Sequence, residues 1–552
     1  MLGGLPLIPT SDWAYVRMAV ANPIALSRKN TARTGDWKLV AAAFSFANLC
    51  YLRVWSELLT FSRGDTYTMK VPFSRSDYLA VMFNVLLIGM IGTAAAVLIE
   101  RSKSARWKVA GRVFLCVLLL LPLNALRAVL ANQFPYLRSP IFNLLGTKGV
   151  LLTGLVFSAG GAVLVRTRLR QTTGSIAAVL VMFFPLVPVT FGQALWRVTT
   201  FDASRFLNGP GAPVFSGKAP RRVVWVILDE WDQRLTFLDR PAGLRLPELD
   251  RLRGEVLYAQ NAYPPGPETP ISMPALITGR LVKDVVRAGP SELLLVHPES
   301  AAQVSWRSEL NVFAETRSAG FNTALVGWYH PYCRVLGVSL TNCDWWPMNF
   351  QANSMGYGLP AHIRNQARSL FETSLLSIFG QSLATREHAR TYREMMVRAR
   401  QAAADPRFGL VFLHLPTPHA PHTYNRRTGR FDLANSPIKG YVDSLALADR
   451  TVGDIRRTLE QAGLWENTTV IFSADHSYRS SEALDGKSDQ RIPFLLKPAG
   501  GGDPIDYRPA FNTLLTRDLL RAVLRSEVQT PRDAAAWLDH HRTFGESPLN
   551  NN

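Results

Sequence analysis

Four stretches of this 552-residue chain finish on side chains that bind metals or anions. VVWVIL (223–228) runs into Asp229 and Glu230, and TALVGW (323–328) leads to His330. GLVFLHL (409–415) carries His414 and is followed by His419 and His422, while TTVIFSA (468–474) ends on Asp475 and His476. Each residue alone has a plain explanation. A strand-end Asp caps a helix or a turn, and a single His finds a hydrogen bond. Four strand ends supplying Asp, Glu and His together point instead to a metal–anion site, with the mixed O/N ligand set that suits Zn²⁺ and allows Mn²⁺.

The elements that must position these residues are legible as short β-type runs alternating with helical patterns. A fifth run, PFLLK, covers 493–497, and apolar residues recur at helical spacing over 309–318, 384–403 and 441–463. This alternation predicts an α/β domain with a largely parallel central sheet. Ligands of such sheets bind beyond the carboxyl ends of the strands, where all four stretches end.

The formal net charge of +19 points to a nucleic-acid partner until it is mapped along the chain. Residues 1–200 hold 21 Lys/Arg against 6 Asp/Glu, whereas residues 201–552 hold 40 against 36. The excess sits in the apolar third, so no nucleic-acid partner is expected. Five candidate spans, 39–58, 78–99, 113–130, 149–165 and 176–195, approach the length that crosses ~30 Å of hydrocarbon. Four spans plus an interfacial helix is the alternative, because Arg53, Glu57 and Arg127 fall in the less clean runs. The basic residues of the N-terminal lead and of the loops at 101–112 and 166–170 orient the bundle with these segments inside. An odd number of spans then puts everything after Arg197 outside a cytoplasmic membrane of bacterial type. The long basic lead is wrong for a cleavable signal peptide. Cys50 and Cys116 read as apolar filler in spans; Cys333 and Cys343, exposed to an oxidising compartment, are placed to form a disulfide. The expected organisation is a transmembrane domain (1–197), a Gly/Pro/Ser-rich linker (198–220), a catalytic domain (221–530) and a tail (531–552) with one short helix and a frayed end.

The soluble part resembles the alkaline phosphatase/sulfatase superfamily over most of 221–500. VVWVILDEW resembles its first strand with a metal-binding terminal acid, and PELDRLRGEVLYAQNAY (247–263) the segment leading to the nucleophile. ETPISMPALITGR (268–280) resembles the nucleophile motif with its TGR ending, and GFNTALVGWYH (320–330) the stretch that ends Gly-Lys-Trp-His in sulfatases. LHLPTPHAPH (413–422) resembles a substrate-binding segment, IFSADH (471–476) the second pair of metal ligands, and GKSDQRIPFLLK (486–497) the last motif. Departures matter. Thr269 stands where sulfatases carry the Cys or Ser converted to formylglycine, Met273 where they carry Arg, Trp328 where they carry Lys, and Asp475-His476 where they carry Asp-Asn. Thr-x-x-Ser-x-Pro and Asp-His are similar to membrane phosphoethanolamine transferases and lipoteichoic-acid synthases, which also place five spans before an extracytoplasmic catalytic domain.

The resemblance implies a five-span helical bundle followed by an alkaline-phosphatase-like α/β domain. It implies a metal held by Asp229, Asp475, His476 and the Thr269 oxygen, with Glu230 as a further ligand or an outer group. Zn²⁺ is expected, with Mn²⁺ or Ca²⁺ as alternatives and a second metal left open. Thr269 is the implied nucleophile, with Ser272 as the competing hydroxyl. His330, His419 and Lys487 are implied to hold phosphoryl oxygens; His414 either joins them or faces the core, and His422 binds substrate or a second metal. The expected reaction moves a phospholipid head group to a glycan or lipid of the cell envelope. A hydrolase of phosphate or sulfate esters is the alternative, and a non-catalytic membrane receptor is disfavoured by an intact set of ligands.

Overall fold

The computed structural model describes residues 31–59, 65–70, 73–133, 169, 171–200, 209–348, 358–372, 383–431 and 437–542. Two compact units emerge, one from residues 1–56 with 79–196 and the other from 57–78 with 197–552.

In the first unit, three helices are long and apolar enough to cross a membrane: Arg75–Arg101, Ala105–Arg127 and Gln171–Thr200. At 1.5 Å per residue, even the shortest of them covers ~30 Å. The expected span at 39–58 is broken instead into Trp37–Cys50 and Leu52–Leu59, bent by 62°. The described helices therefore give three candidate spans, or four if the bent pair counts as one; the expected span at 149–165 lies outside the described residues. Phe83, Met90, Ile91, Leu98, Phe114, Leu123 and Met182 are exposed on these helices. So many uncovered large apolar side chains suit a hydrocarbon surround.

Among the described residues, the second unit contains fourteen strands. β1 (Arg222–Leu228), β2 (Leu257–Tyr263), β6 (Asn322–Trp328), β7 (Asn342–Trp346), β8 (Phe408–Leu415), β11 (Thr468–Ala474), β12 (Ile492–Lys497), β13 (Ile505–Tyr507) and β14 (Phe511–Asn512) form one sheet. Its order is β13-β2-β12-β11-β1-β8-β6-β7, with β14 also on β2. β12 pairs antiparallel with both its neighbours, and every other pairing is parallel. β3 (Asp284–Gly289), β4 (Glu292–Val296) and β5 (Gln303–Ser305) make a small antiparallel sheet, and β9 (Tyr424–Asn425) pairs with β10 (Arg430–Phe431). The five strands expected from the sequence are all present. β2 and the β3-β4-β5 sheet were not anticipated; β3 is mostly exposed or half-buried, and β4 alternates half-buried with buried residues.

Every residue of β1, β6, β8 and β11 is buried. Helices cover both faces of a parallel sheet, so its central strands read as unbroken apolar runs. Leu383–Ala404 packs on β6 and β8, and Thr516–Leu524 packs on β1. The terminal helix Pro531–His541 begins with a capping box from Thr530 and Asp533 and buries Ala534 and Leu538.

Cys333, on the short helix Tyr332–Val335, is bonded to Cys343 of β7. The bridge ties the stretch after His330 to the edge of the sheet. Replacing both cysteines by Ser should lower stability by about 2–3 kcal/mol, the value of closing a short loop. The check is the thermal midpoint of the purified full-length protein under non-reducing conditions, which should fall while the wild type in reductant falls to match it.

Candidate metal centre

The centre follows from strand register. Leu228 of β1 and Ala474 of β11 are Cα partners, so the next residues, Asp229 and Asp475, leave the sheet side by side. Ligand atoms of Asp229, Asp475 and His476 lie within 4.8 Å of one another, and all three residues are buried. His476 Nδ1 lies 2.9 Å from the Ser477 carbonyl oxygen. A carbonyl only accepts, so Nδ1 carries the proton and the Nε2 lone pair is free. Nε2 faces inward, 3.5 Å from Asp475 Oδ2 and 3.8 Å from Asp229 Oδ1. Asp475 Oδ1 accepts from the backbone N–H groups of His476 and Glu230. Among the described residues, Asp229 Oδ1 and Asp475 Oδ2 have no hydrogen-bond partner. Two buried carboxylate oxygens without donors, beside an imidazole lone pair, fit a divalent cation.

Electrostatics agree. Burial raises both carboxyls, but the His419, His476 and His414 imidazoles outweigh it at Asp229 and hold that group below the usual range. Asp475, buried beside the Asp229 charge, is pushed up. Burial opposes a charge on His476, yet Asp475, Asp229 and Glu230 lift it above its ordinary value. A cation would relieve this crowding of negative charge.

Thr269 opens the helix Thr269–Thr278 and is buried. Its Oγ1 lies 3.3 Å from Asp229 Oδ2 and 3.3 Å from His476 Nε2. Ser272, the competing hydroxyl, instead donates to the Gly266 carbonyl at 2.8 Å and is fully buried. That bond ties the loop ahead of Thr269 to its helix. The same close approach explains Gly266, where a Cβ would sit 2.6 Å from Ile271 Cγ2.

The other expected residues fall in distinct places. His414 Nε2 lies 3.7 Å from Asp229 Oδ2, with Nδ1 held by the Tyr332 hydroxyl at 2.8 Å. His330 Nε2 lies 3.4 Å from the Thr269 carbonyl, and burial lowers its pKa to about 3. His419 is half-buried, its ring 4.9 Å from that of Trp328. His422 Nδ1 is 3.2 Å from Ser444 Oγ, beside the Tyr441 ring. Glu230 adopts a left-handed backbone, φ 61°, uncommon for a residue with a Cβ. This turns its N–H onto Asp475, while its carboxylate pairs with Arg479 at 3.3 Å. Lys487 is exposed, its Nζ 3.0 Å from Asp239 Oδ2, and the structure does not bring it to the cluster.

Three participants were missed from sequence. Arg479 also lies 3.8 Å from Glu268, the residue before Thr269, and gives the rim a cation. Its place three residues after His476 was the available signal. Tyr332, two residues after His330, offered a similar one. Tyr67, bonded to His330, offered none.

Asp475→Asn should strip most of the metal from protein purified without chelator, as read by elemental mass spectrometry. Ser272→Ala should keep its metal and turnover within a few-fold, and lose about 1–3 kcal/mol of stability from the stranded Gly266 carbonyl.

A family model described as Sulfatase matches residues 221–522. The ulvan-active sulfatase of Formosa agariphila is 24% identical over 318 residues, covering 50% of this chain and 56% of that protein. The chain thus spans little more than half the length of this curated relative. Ps i-CgsB in complex with k-i-k-neocarrahexaose aligns with TM-score 0.40 and 16% identity over 58% of this chain and 74% of the other. A protein in the alkaline phosphatase superfamily from Vibrio parahaemolyticus aligns with TM-score 0.36 and 14% identity over 59% and 71%. With more than half of its residues inside the matched region, the chain belongs to the sulfatase family.

Proposed function

We propose that this chain is a metal-dependent membrane phosphotransferase with its catalytic unit on the extracytoplasmic side. It moves a phosphoethanolamine- or phosphoglycerol-like head group from a phospholipid to a cell-envelope glycan or lipid. The observation that carries the proposal is Thr269 Oγ1, 3.3 Å from both Asp229 Oδ2 and His476 Nε2 at the start of a buried helix. Oxidising a threonine hydroxyl gives a ketone, not the aldehyde that sulfatases make from Cys or Ser. The hydroxyl itself is therefore the group available for attack.

Asp229, Asp475, His476 and Thr269 Oγ1 would hold a divalent cation, which lowers the hydroxyl pKa and offsets charge developing on the transferred group. Thr269 Oγ1 forms its bond to phosphorus as the diacylglycerol oxygen leaves. The threonine proton passes to Asp229 Oδ2, and the leaving oxygen takes a proton from solvent. In the second half an acceptor hydroxyl attacks phosphorus and gives its proton to solvent, while the bond to Thr269 Oγ1 breaks and that oxygen takes back the proton held by Asp229. The helix beginning at Thr269 directs its positive end at this exchange. Apolar helices in the same chain suit a donor that diffuses in the bilayer.

Hydrolysis of phosphate or sulfate esters is the second reading, favoured by the family match and the ulvan-active relative. One experiment separates the two. The full-length protein in vesicles receives head-group-labelled phosphatidylethanolamine or phosphatidylglycerol together with an envelope glycan fraction. Transfer predicts label on the acceptor, free diacylglycerol and a phospho-adduct at Thr269 by mass spectrometry. Label released only to water supports a hydrolase, and cleavage of 4-nitrophenyl sulfate without lipid turnover supports a sulfatase. Thr269→Ala should lower turnover by at least about 1,000-fold in a folded, metal-loaded protein.

A further inference from the structure

Tyr67 stands on the short turn Asp65–Thr68, far from the catalytic motifs in sequence. It nevertheless belongs to the second unit and is fully buried in that unit's core. Its hydroxyl lies 2.8 Å from His330 Nδ1. On the opposite side of the ring, Nε2 faces the Thr269 carbonyl oxygen at 3.4 Å. That carbonyl can only accept, so Nε2 carries the proton and Nδ1 is bare. The Tyr67 hydroxyl is then the donor, and burial, which holds its pKa well above the ordinary value, keeps its proton in place.

Three further rings pack against His330, and the charges of Arg287 and Asp229 also reach it. The rings of Trp306, Tyr329 and Tyr332 stand 5.1, 4.9 and 5.5 Å away, all edge-on. They confine the imidazole without choosing which nitrogen is protonated. Tyr67 is itself held in place. Arg334, next to the disulfide, donates to its carbonyl at 2.8 Å and lies 5.1 Å over the Trp345 ring. Further along the segment, Lys70 Nζ sits 4.2 Å over the Trp346 ring, and Asp77 Oδ1 is 2.6 Å from His362 Nδ1.

We propose that Tyr67 is a positioning residue of the reaction centre, whose hydroxyl fixes the tautomer and direction of His330 and so holds an Nε2–H donor against the Thr269 end of the site. The catalytic unit is then incomplete without the segment at 57–78. This rests on the reading of Thr269 as the reacting residue.

The test uses the full-length protein, labelled with ¹⁵N-histidine in detergent, and 4-nitrophenyl phosphate as the turnover probe. The His330 signals are assigned by their loss in His330→Gln. The wild type should show His330 protonated at Nε2, and Tyr67→Phe, which keeps the ring, should show a mixture of tautomers. In that variant kcat should fall about 10- to 100-fold, the usual cost of losing a partner behind a site residue, with KM little changed. A tautomer unaltered in Tyr67→Phe with kcat within twofold of wild type overturns the proposal. So does an Nδ1–H tautomer in the wild type, which needs no variant to fold. A wild type that turns over no phosphate ester would instead count against the phosphotransfer reading, while the imidazole spectrum still decides the role of Tyr67.

Discussion

The parallel pairing of β1 with β11 forces two carboxylates together where water does not reach. Leu228 and Ala474 are partners across the pair, so Asp229 and Asp475 emerge one strand spacing apart, ~4.8 Å. At an effective dielectric of ~20, two full charges at that distance repel by about 3–4 kcal/mol. The surrounding groups soften this only in part: imidazoles and the Thr269 hydroxyl face Asp229. Asp475 Oδ1 takes two backbone N–H donors, one from Glu230, which enters the left-handed region to supply it. Asp475 Oδ2 and Asp229 Oδ1 are left facing the His476 lone pair. A divalent cation held by Asp229, Asp475 and His476 would turn the repulsion into coordination.

The imidazoles around this pair follow one rule: the Nδ1 side is committed to the protein and the Nε2 side faces the centre. For His476 the Nδ1 partner is a carbonyl, which leaves Nε2 as a lone pair suited to a metal. For His330 and His414 the partner is a tyrosine hydroxyl. The His330 Nε2 faces a carbonyl, which only accepts, so this ring presents an N–H donor; the His414 Nε2 lies 3.7 Å from the Asp229 carboxylate. The choice between ligand and donor is thus made by the atom behind each ring. Tyr67 and Tyr332, both fully buried, keep their hydroxyl protons because burial drives their pKa values well up.

Much of this was legible in the sequence where local pattern and function coincide. The central strands are buried on both faces and read as apolar runs, and a parallel sheet delivers their ends to one edge. Asp229, Asp475 and His476 were visible for that reason. Thr269 was visible only through its motif; what separates it from Ser272 is the orientation each hydroxyl takes on one helical turn, which composition does not encode. Lys487 fits its motif in sequence, yet its charge is matched on the surface by Asp239. The break in the first apolar stretch was also hidden, because a run of the right length reads the same straight or bent.

Tyr67 was beyond the reach of any local pattern. It bonds a residue 263 positions away, its carbonyl is held from 267 away, and Asp77 from 285 away. Closure entropy grows only logarithmically, so bringing such distant segments together costs about 3 kcal/mol more than closing a ten-residue loop. That cost falls once, on the first anchor. The later ones form in a chain whose ends are already close, and the burial of Tyr67 adds an apolar gain of about 1.5–3 kcal/mol, the scale of a large buried side chain. A segment placed between two apolar helices can therefore belong stably to the catalytic unit, and chain order is a poor guide to which residues build the site.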